Sequence, residues 1–276
     1  MQRVASDLTA EDYRAIQNFL EEQAGIRLGP GKEYLVVSRL GRLLPSFGLR
    51  GFHDLANRLA DLTATPLLPA VVDAMTTNET FWFRDQGHFR MLTNGILSES
   101  RPADLRIWSA AASTGQEAYT AAISLQEAMQ DGRLDRSLSY QIIGTDISPS
   151  ALQQAQRAVY CGVAASRGLS DEQRRRYFRE HEACVELLPK YREQVRFHEF
   201  NLLKPFDVLG RFDVVFCRNV LIYFSQERKN DIVKRLARAL KPGGHLFLGS
   251  TESIRGHEDL FELRHFAGSL AYRLRS

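Results

Sequence analysis

The first quarter of the chain carries apolar residues at helical spacing. Thr9 can cap a first helix, which has Ile16 and Leu20 among its apolar positions, and Gly25 ends it. The same spacing predicts three more helices, over 32–44, 52–62 and 70–75. Residues 1–75 are therefore predicted to form a small all-helical N-terminal domain.

From Leu105 onward the pattern changes, because short apolar runs alternate with helical stretches. Strands are predicted over 105–108, 141–145, 195–200, 212–217 and 245–248, with a closing pair at 261–266 and 270–274. Such alternation is typical of a mostly parallel sheet with helices on both faces. We therefore predict an α/β fold with a Rossmann-like sheet over residues 99–276.

Residues 76–98 fit neither a clean strand nor a single helix. Thr76 and Glu79 have the spacing of a capping box, which would explain a helix start. That spacing does not explain three successive aromatic residues, 81–83, beside Arg84. We interpret 76–98 as a linker and a helix that contribute to an active site.

Residues 159–194 are predicted to be an insertion. More than thirty residues separate a helix from the next strand, where about 2–6 are usual. Ser170 can cap a helix within the insertion, and 184–188 is predicted as a β segment. The insertion is therefore interpreted as a small β subdomain, which could add a peptide strand at an open edge or could be simple decoration.

Composition places the chain among soluble globular proteins. Of its 276 residues, 44% are hydrophobic and 25% charged, and an apolar run long enough to span a membrane is lacking. The first residues also lack the apolar core of a signal peptide. We expect a cytoplasmic protein without direct membrane insertion.

The cysteines are three in number and far apart, at 161, 184 and 217. This spacing predicts neither a disulfide framework nor a zinc site, and the seven histidines form no H-E-x-x-H motif. We therefore expect reduced cysteines and no metal.

The net charge of +3 says little, but basic residues are concentrated in the helical region. Residues 26–60 include six basic residues and only two acidic ones. Four of them, Arg39, Arg42, Arg50 and Arg58, lie on or beside predicted helices. A basic face of this kind could meet water only, or an acidic protein surface, a nucleic acid or a membrane.

The stretch 105–119 has the layout of a nucleotide-type site. A strand ends in a run of small residues, and a helix follows from Gln116. Small side chains let a ligand approach the backbone and the free N–H groups at the helix start. Gly115 is its only glycine, so an ordinary tight turn is an equal alternative on this stretch alone.

Further polar residues follow the other predicted strands. Asp146 ends the second strand, and because Ser148 and Pro149 already provide a helix start, its carboxylate is available to a ribose. The sequence shows neither a Ser-His-Asp pattern nor a P-loop lysine. This edge therefore suits a nucleoside cofactor used for group transfer more than it suits hydrolysis.

Several ordered motifs then resemble those of the bacterial chemotaxis receptor methyltransferases, the CheR family. They are 77–80 (Thr-Asn-Glu-Thr) with 83–84 (Phe-Arg), 111–115 with Glu117 and Tyr119, 145–148 (Thr-Asp-Ile-Ser), 201–203 (Asn-Leu-Leu) and 217–224 (Cys-Arg-Asn-Val-Leu-Ile-Tyr-Phe). The resemblance covers the whole chain. It implies methyl transfer from S-adenosylmethionine to receptor glutamates, which gives glutamate methyl esters. One departure is Gln116-Glu117-Ala118-Tyr119, where the family often has a proline before the tyrosine.

The resemblance also implies roles for individual residues. Cofactor contacts are implied for Asn78, Thr80, Arg84, Ala111, Glu117, Asp146, Asn201, Leu202, Arg218 and Asn219. Arg84 and Tyr223 are the implied catalytic residues, flanking the methyl group. The implied partners are chemoreceptors: the basic helical face would meet their methylation helices, and the insertion could dock a receptor tail peptide.

Two other functions remain open from the residues. A nucleic-acid methyltransferase would use the basic N-terminal domain to grip phosphates, although amine methylation of bases usually shows an Asn/Asp-Pro-Pro-Tyr motif where this chain has 218–221. A protein that binds the cofactor without catalysis is the second alternative. We predict no nucleic-acid partner.

Overall fold

The computed structural model of the chain describes residues 7–61, 66–100 and 102–275. These residues group into two compact units. The first contains the described residues up to Thr77 together with Tyr223–Lys229, and the second contains Asn78–Ile222 and the described residues from Asn230 onward.

The first unit is helical. Its helices are α1 (Ala10–Ala24), α2 (Glu33–Leu40), α3 (Phe52–Ala60) and α4 (Leu67–Met75). Thr9 caps α1 in a capping box with Asp12, and Gly25 ends the helix with a left-handed φ of 71°, as predicted. Ile16 and Leu20 are fully buried in the core of this unit.

Two helix bounds differ clearly from the prediction. Helix α2 ends at Leu40 rather than at 44, because Gly41 weakens a helix and the amide of Leu43 bonds the carbonyl of Leu40 in a tighter turn. Helix α4 begins at Leu67, since Pro69 is tolerated in a first turn. The predicted end of α3 at 62 lies outside the described residues.

The second unit opens with a helical stretch interrupted by a π-helical turn. Helix α5 (Gln86–Arg90) leads into π-helix at Met91–Ile96, and α6 (Leu97–Ser100) follows. The helix predicted within 76–98 is thus present and continues to Ser100. Segments of π-helix recur at functional sites.

The described part of the second unit is built on a seven-stranded sheet in the order β6-β2-β1-β7-β8-β10-β9. The strands are β1 (Asp104–Ala110), β2 (Ser139–Asp146), β6 (Val195–Glu199), β7 (Phe212–Cys217), β8 (Leu240–Leu248), β9 (Phe261–Phe266) and β10 (Ser269–Leu274). The strands from β6 to β8 pair in parallel, and β10 pairs antiparallel with both β8 and β9. The predicted Rossmann-like sheet with a closing hairpin is confirmed.

The connections place a ligand crevice at one edge of this sheet. Helices α7 (Gln116–Gln130) and α8 (Pro149–Arg157) carry the chain from β1 to β2 and onward toward β6, and α10 (Gln226–Ala239) connects β7 with β8. The chain therefore runs to opposite sides of β1 in its two halves. Ligands of such sheets bind beyond the carboxyl ends of the strands at this reversal.

The insertion contains a separate three-stranded sheet. Strands β3 (Val159–Cys161), β4 (Phe178–His181) and β5 (Cys184–Leu187) pair antiparallel in the order β3-β5-β4, and α9 is Asp171–Tyr177. Ser170 and Gln173 form the capping box expected from their spacing. Strands β3 and β4 were not predicted, because three or four residues are too few to show an alternating pattern.

The prediction that the cysteines form no disulfide is wrong. Cys161 on β3 lies directly opposite Cys184 on β5, and the two form a disulfide, whereas Cys217 is free and buried. The sequence hides this pairing, because 23 residues separate the two cysteines and neighbours across antiparallel strands need not be close in sequence.

We expect the disulfide to stabilise the second unit by about 3 kcal/mol, since it closes a loop of this length in the unfolded chain. Reductant should lower the free energy of unfolding of the native chain by that amount. In the double variant Cys161→Ser/Cys184→Ser, reductant should leave the free energy of unfolding unchanged. Both proteins are measured by urea unfolding with and without reductant. Equal responses of the two proteins would contradict the expectation.

Candidate active site

The turn after β1 is built for close approach to the backbone. Ala111, Ser113 and Gly115 have φ of 60°, 52° and 93°. A Cβ on Gly115 would lie 2.9 Å from the Cβ of Ala155 and 3.1 Å from Cζ of Phe197. Glycine is therefore required there for both its conformation and its size.

Asp146 is the last residue of β2 and joins two turns. Its Oδ2 accepts a hydrogen bond from the amide of Ser113 at 2.7 Å, and its Oδ1 accepts one from the amide of Ser148 at 2.9 Å. Ser148 itself caps α8 by accepting from the amide of Ala151. As predicted, Asp146 is not the cap, and it places a buried carboxylate at the ligand edge.

Asn78 lies against the same turns. Its Nδ2 donates to Oγ of Ser148 at 3.1 Å, and its carbonyl accepts from Oγ of Ser113 at 3.0 Å. The polar stretch that begins at Asn78 is thus held at the carboxyl ends of β1 and β2. Thr80 follows two residues later and is half-buried.

The aromatic residues after Thr80 anchor this stretch on the insertion. The fully buried ring of Trp82 makes edge contacts with Tyr160 and Phe178, at centroid distances of 4.9 and 4.8 Å. Its Nε1 donates to the carbonyl of Ala164 at 3.0 Å. The indole ring of Trp82 therefore packs this stretch against the insertion.

Arg84 is half-buried beside this aromatic anchor. Its guanidinium carbon lies 5.4 Å from the ring centroid of Phe81, and its Nη1 is 3.5 Å from the carbonyl of Glu79. Phe83 and Asp85, on either side of it, both have left-handed backbones with φ of 54° and 52°. Such angles are rare for a bulky residue and mark a strained segment.

Arg218 is the centre of a buried ionic network. Its side chain is 2% exposed, and its Nη1 donates to Oε2 of Glu117 at 2.8 Å. Its Nη2 donates to Oδ2 of Asp85 at 2.6 Å and to the carbonyl of Arg84 at 2.8 Å. The other oxygen of Glu117 accepts from Oγ of Ser109 at 2.7 Å. Two predicted cofactor residues thus bind each other.

Glu117 is not a helix cap, although it has capping-box spacing with Thr114. Gly115 is the N-cap of α7, and the hydroxyl of Thr114 donates to the side chain of Gln116 instead. The carboxylate of Glu117 is committed to the network around Arg218. The capping-box spacing of Thr114 and Glu117 is therefore not used for capping, and Glu117 instead binds Ser109 of β1 and Arg218.

Asn201 and Leu202 follow β6. Oδ1 of Asn201 accepts from the amide of Leu203 at 2.9 Å, which fixes a local turn, and Leu202 is buried. The amide of Phe200 bonds the carbonyl of Asp146 at 2.8 Å. These residues consequently lie at the same edge as Asp146.

Glu252 is a site residue to which the sequence assigned no role. Its carboxylate accepts from the amides of Asn219 at 2.6 Å, Leu221 at 2.8 Å and Gly249 at 2.8 Å. It thereby ties together the chain segments that leave β7 and β8, and it supports the left-handed backbone of Asn219. The sequence places Glu252 after a predicted strand, but it does not reveal the backbone amides that its carboxylate binds.

Tyr223 belongs to the first unit, unlike Arg84 and the predicted cofactor residues. It ends a 3-10 turn, Leu221–Tyr223, and its carbonyl accepts from the amide of Arg27 at 3.2 Å. No pattern around Tyr223 predicted that it would group with the helices of the first unit.

The four basic residues singled out for receptor contact have different surroundings. Arg39 donates to the carbonyls of Met75 and Thr76, each at 2.9 Å, and so holds the end of α4. Arg50 forms a fork with Asp54 at 2.7 and 2.9 Å and is exposed, as are Arg42 and Arg58. Arg42 lies beyond the end of α2 rather than within it.

His88 packs beside the network, and burial together with the nearby Arg218 lowers its pKa from 6.5 to about 4. The unfolded chain therefore binds one more proton than the folded chain between pH 6.5 and 4, so stability falls as the pH falls through this window. At pH 5 the loss is about 2 kcal/mol.

We expect His88→Gln to reduce the difference between the unfolding free energies at pH 7 and pH 5 by that amount, measured by urea unfolding. His245, whose pKa is also lowered to about 4, remains in the variant and keeps its own share. An unchanged pH difference would show that His88 is not the group responsible.

The sequence matches two family descriptions that together span most of the chain. Residues 78–268 match the CheR methyltransferase, SAM binding domain, and residues 11–76 match the CheR methyltransferase, all-alpha domain. The chain belongs to the CheR methyltransferase family. It is therefore an S-adenosylmethionine-dependent methyltransferase of chemotaxis, as its resemblance predicted.

Relatives of nearly equal length support this assignment. Chemotaxis protein methyltransferase Cher2 of Pseudomonas putida is 40% identical over 95% of this chain and 97% of its own length. Chemotaxis protein methyltransferase 1 of Vibrio cholerae is 40% identical over 98% and 99%. Among solved structures, the magnesium protoporphyrin IX methyltransferase from Synechocystis PCC 6803 with bound SAM aligns with this chain at a TM-score of 0.40. The two are 15% identical, and the alignment covers 70% of this chain and 80% of that chain.

No helix within 7–61, 66–100 and 102–275 is long and apolar enough to cross a membrane. In that same part of the chain, no group of three or more His, Cys, Asp and Glu residues could hold a metal ion.

Proposed function

We propose that this CheR methyltransferase transfers the methyl group of S-adenosylmethionine to glutamate side chains of chemoreceptors, giving glutamate 5-O-methyl esters and S-adenosylhomocysteine. The observation that carries the proposal is the cradle formed by Asp146, Ser113 and Asn78 at the carboxyl ends of β1 and β2. Chemotaxis methyltransferases related over nearly the full chain supply the substrate class. The proposed role is adaptation in chemotaxis signalling.

The residues of the cradle fit the cofactor. A carboxylate at the end of the second strand suits both ribose hydroxyls, and the site lacks room for a Cβ at Gly115. Arg218 also keeps a buried Nε that has no acceptor among the described residues. The proposed cofactor residues are Asn78, Thr80, Arg84, Ala111, Glu117, Asp146, Asn201, Leu202, Arg218 and Asn219.

The reaction needs alignment more than acid–base catalysis. A glutamate carboxylate has a reference pKa of about 4.3 and is already ionised at neutral pH, so no general base is required. When bound, S-adenosylmethionine supplies an electrophilic methyl group on a positive sulfur. Because water stabilises the separated charges, a site that excludes water and aligns the acceptor oxygen lowers the barrier.

Arg84 and Tyr223 are the proposed catalytic residues. The guanidinium of Arg84 can orient the acceptor carboxylate by charge-assisted hydrogen bonds. The phenol of Tyr223 is proposed to lie beside the methyl group that is transferred. The ring of Phe81, 5.4 Å from the guanidinium carbon, gives Arg84 a neighbour of low polarity. Too tight an ion pair would weaken the nucleophile, so we propose that Arg84 aligns the carboxylate without enclosing it.

The proposed division of labour follows the chain. Residues 1–75 would contact the acidic methylation helices of receptors in the cytoplasm, 76–98 would contribute to the active site, and 99–276 would bind the cofactor. Of the basic residues proposed for receptor contact, Arg42, Arg50 and Arg58 are exposed, and Arg50 also pairs with Asp54. Arg39 is half-buried and holds the end of α4. The insertion, 159–194, has open edges at β3 and β4 that could add a receptor tail peptide.

The test is incubation of the protein with methyl-labelled S-adenosylmethionine and receptor-containing membranes. We expect label on the receptor that mild alkali releases as methanol, because esters are labile and methylated amines are not. Absence of label on protein would overturn the proposal, and label on added RNA instead would indicate the nucleic-acid alternative.

A further inference from the structure

Asp85 is a charged residue at the active site to which the proposed function assigns nothing. It directly follows Arg84 and has a left-handed backbone, with φ of 52° and ψ of 55°. Although it precedes α5, its side chain makes no capping hydrogen bond. Its carboxylate instead binds Arg218, whose side chain is almost fully buried.

The contacts of Arg218 connect Asp85 to the backbone of Arg84. One nitrogen, Nη2, donates both to Oδ2 of Asp85 at 2.6 Å and to the carbonyl of Arg84 at 2.8 Å. The other, Nη1, is held by Glu117, which is fixed in turn by Ser109. The guanidinium therefore bridges the end of β1 and the peptide unit that carries Arg84.

The backbone on the other side of Arg84 is also constrained. Phe83 has a φ of 54°, which is strained for an aromatic residue and persists only where the surroundings hold it. Its amide donates to Oγ1 of Thr120 at 3.3 Å, and its ring lies 6.0 Å from that of Tyr177. Arg84 thus stands between two left-handed residues, each with its own tie to the fold.

We propose that Asp85, acting through Arg218, is a positioning residue that fixes the backbone from which Arg84 reaches the acceptor carboxylate. Asparagine and aspartate tolerate left-handed backbone better than other non-glycine residues, so Asp85 supplies both the conformation and the charge. The side chain of Arg84 has only weak contacts of its own, so its direction depends on the peptide unit. A displacement of about 1 Å at such a group costs about 100-fold in rate.

The inference rests on the proposed role of Arg84, and a double-mutant cycle tests it. We expect Asp85→Ala to lower kcat for receptor methylation about 10-fold or more, with the dissociation constant of S-adenosylhomocysteine changed less than about 3-fold. In an Arg84→Ala background, Asp85→Ala should lower kcat further by less than about 2-fold, because its effect passes through Arg84. Asp131→Ala, which removes a carboxylate that pairs with Arg133 on the surface and lies outside 76–98, should leave kcat unchanged.

A merely structural role gives a different result. If Asp85→Ala lowers kcat equally with and without Arg84, or leaves kcat unchanged, the positioning role is overturned. Asp85→Asn, which keeps the size, the left-handed tolerance and one acceptor for Arg218, should fall between the native chain and the alanine variant, and it replaces the alanine variant in the cycle if that one fails to fold. Loss of receptor methylation by the native chain would instead refute the proposed function.

Discussion

Replacing Asp146 by alanine is expected to weaken binding of S-adenosylmethionine at least about 100-fold. Two hydrogen bonds from a carboxylate to ribose hydroxyls are worth about 1.5–3 kcal/mol each, and their loss alone gives this factor. The same carboxylate also holds the amides of Ser113 and Ser148, so the variant loses the shape of both turns. The two effects act in the same direction.

The measurement is calorimetric titration with S-adenosylhomocysteine, which binds without reacting. The matched control is Asp135→Ala, because Asp135 also accepts a backbone amide two residues ahead, that of Ser137, but lies in an exposed loop before β2. We expect the control to bind as the native chain does. A dissociation constant for Asp146→Ala within about 3-fold of the native value would refute the ribose role.

The elements that sequence patterns predicted well are those whose signal is local. Thr9 and Gly25 bracket α1 by their own side-chain and backbone preferences, and Ser170 does the same for α9. The central strands are long and apolar, so their order along the chain and the parallel sheet could be predicted. The run of small residues after β1 could likewise be placed in a turn.

What could not be predicted depends on partners distant in sequence. The Cys161–Cys184 disulfide arises from strand pairing within the insertion. Arg218 meets Asp85 and Glu117 across separations of 133 and 101 residues, and no spacing rule reaches that far. Sequence motifs pointed to Arg218 and Glu117 as ligand contacts, but only the fold shows that they bind each other.

The different anchoring of Arg84 and Asp146 predicts that mutation can separate the rate of reaction from cofactor binding. The cradle of Asp146 is formed by β1, β2 and α8, whereas Arg84 stands on the strained segment after Trp82. Asp146 and Arg84 both lie in the second unit, but different hydrogen bonds hold them in place. A change in the Arg84 side chain therefore leaves the ribose cradle intact.

Replacing Arg84 by alanine is accordingly expected to lower kcat for receptor methylation about 100-fold or more while leaving cofactor affinity within about 5-fold. The guanidinium aligns an anion that is already reactive, so its removal costs orientation and electrostatic stabilisation in the transition state. Arg84→Lys should recover only part of the rate, because an ammonium keeps the charge but lacks the planar fork that matches a carboxylate.

The measurement is initial-rate methylation of receptor membranes at saturating labelled cofactor, together with calorimetry of S-adenosylhomocysteine binding. Arg136→Ala is the matched control, since Arg136 is exposed, lies outside 76–98 and likewise makes a long contact with a backbone carbonyl, that of Gln130, at 3.4 Å. An unchanged rate for Arg84→Ala would remove Arg84 from the mechanism. A loss of affinity as large as the loss of rate would assign the residue to cofactor binding alone, because an interaction made only in the transition state lowers kcat without weakening the ground-state complex.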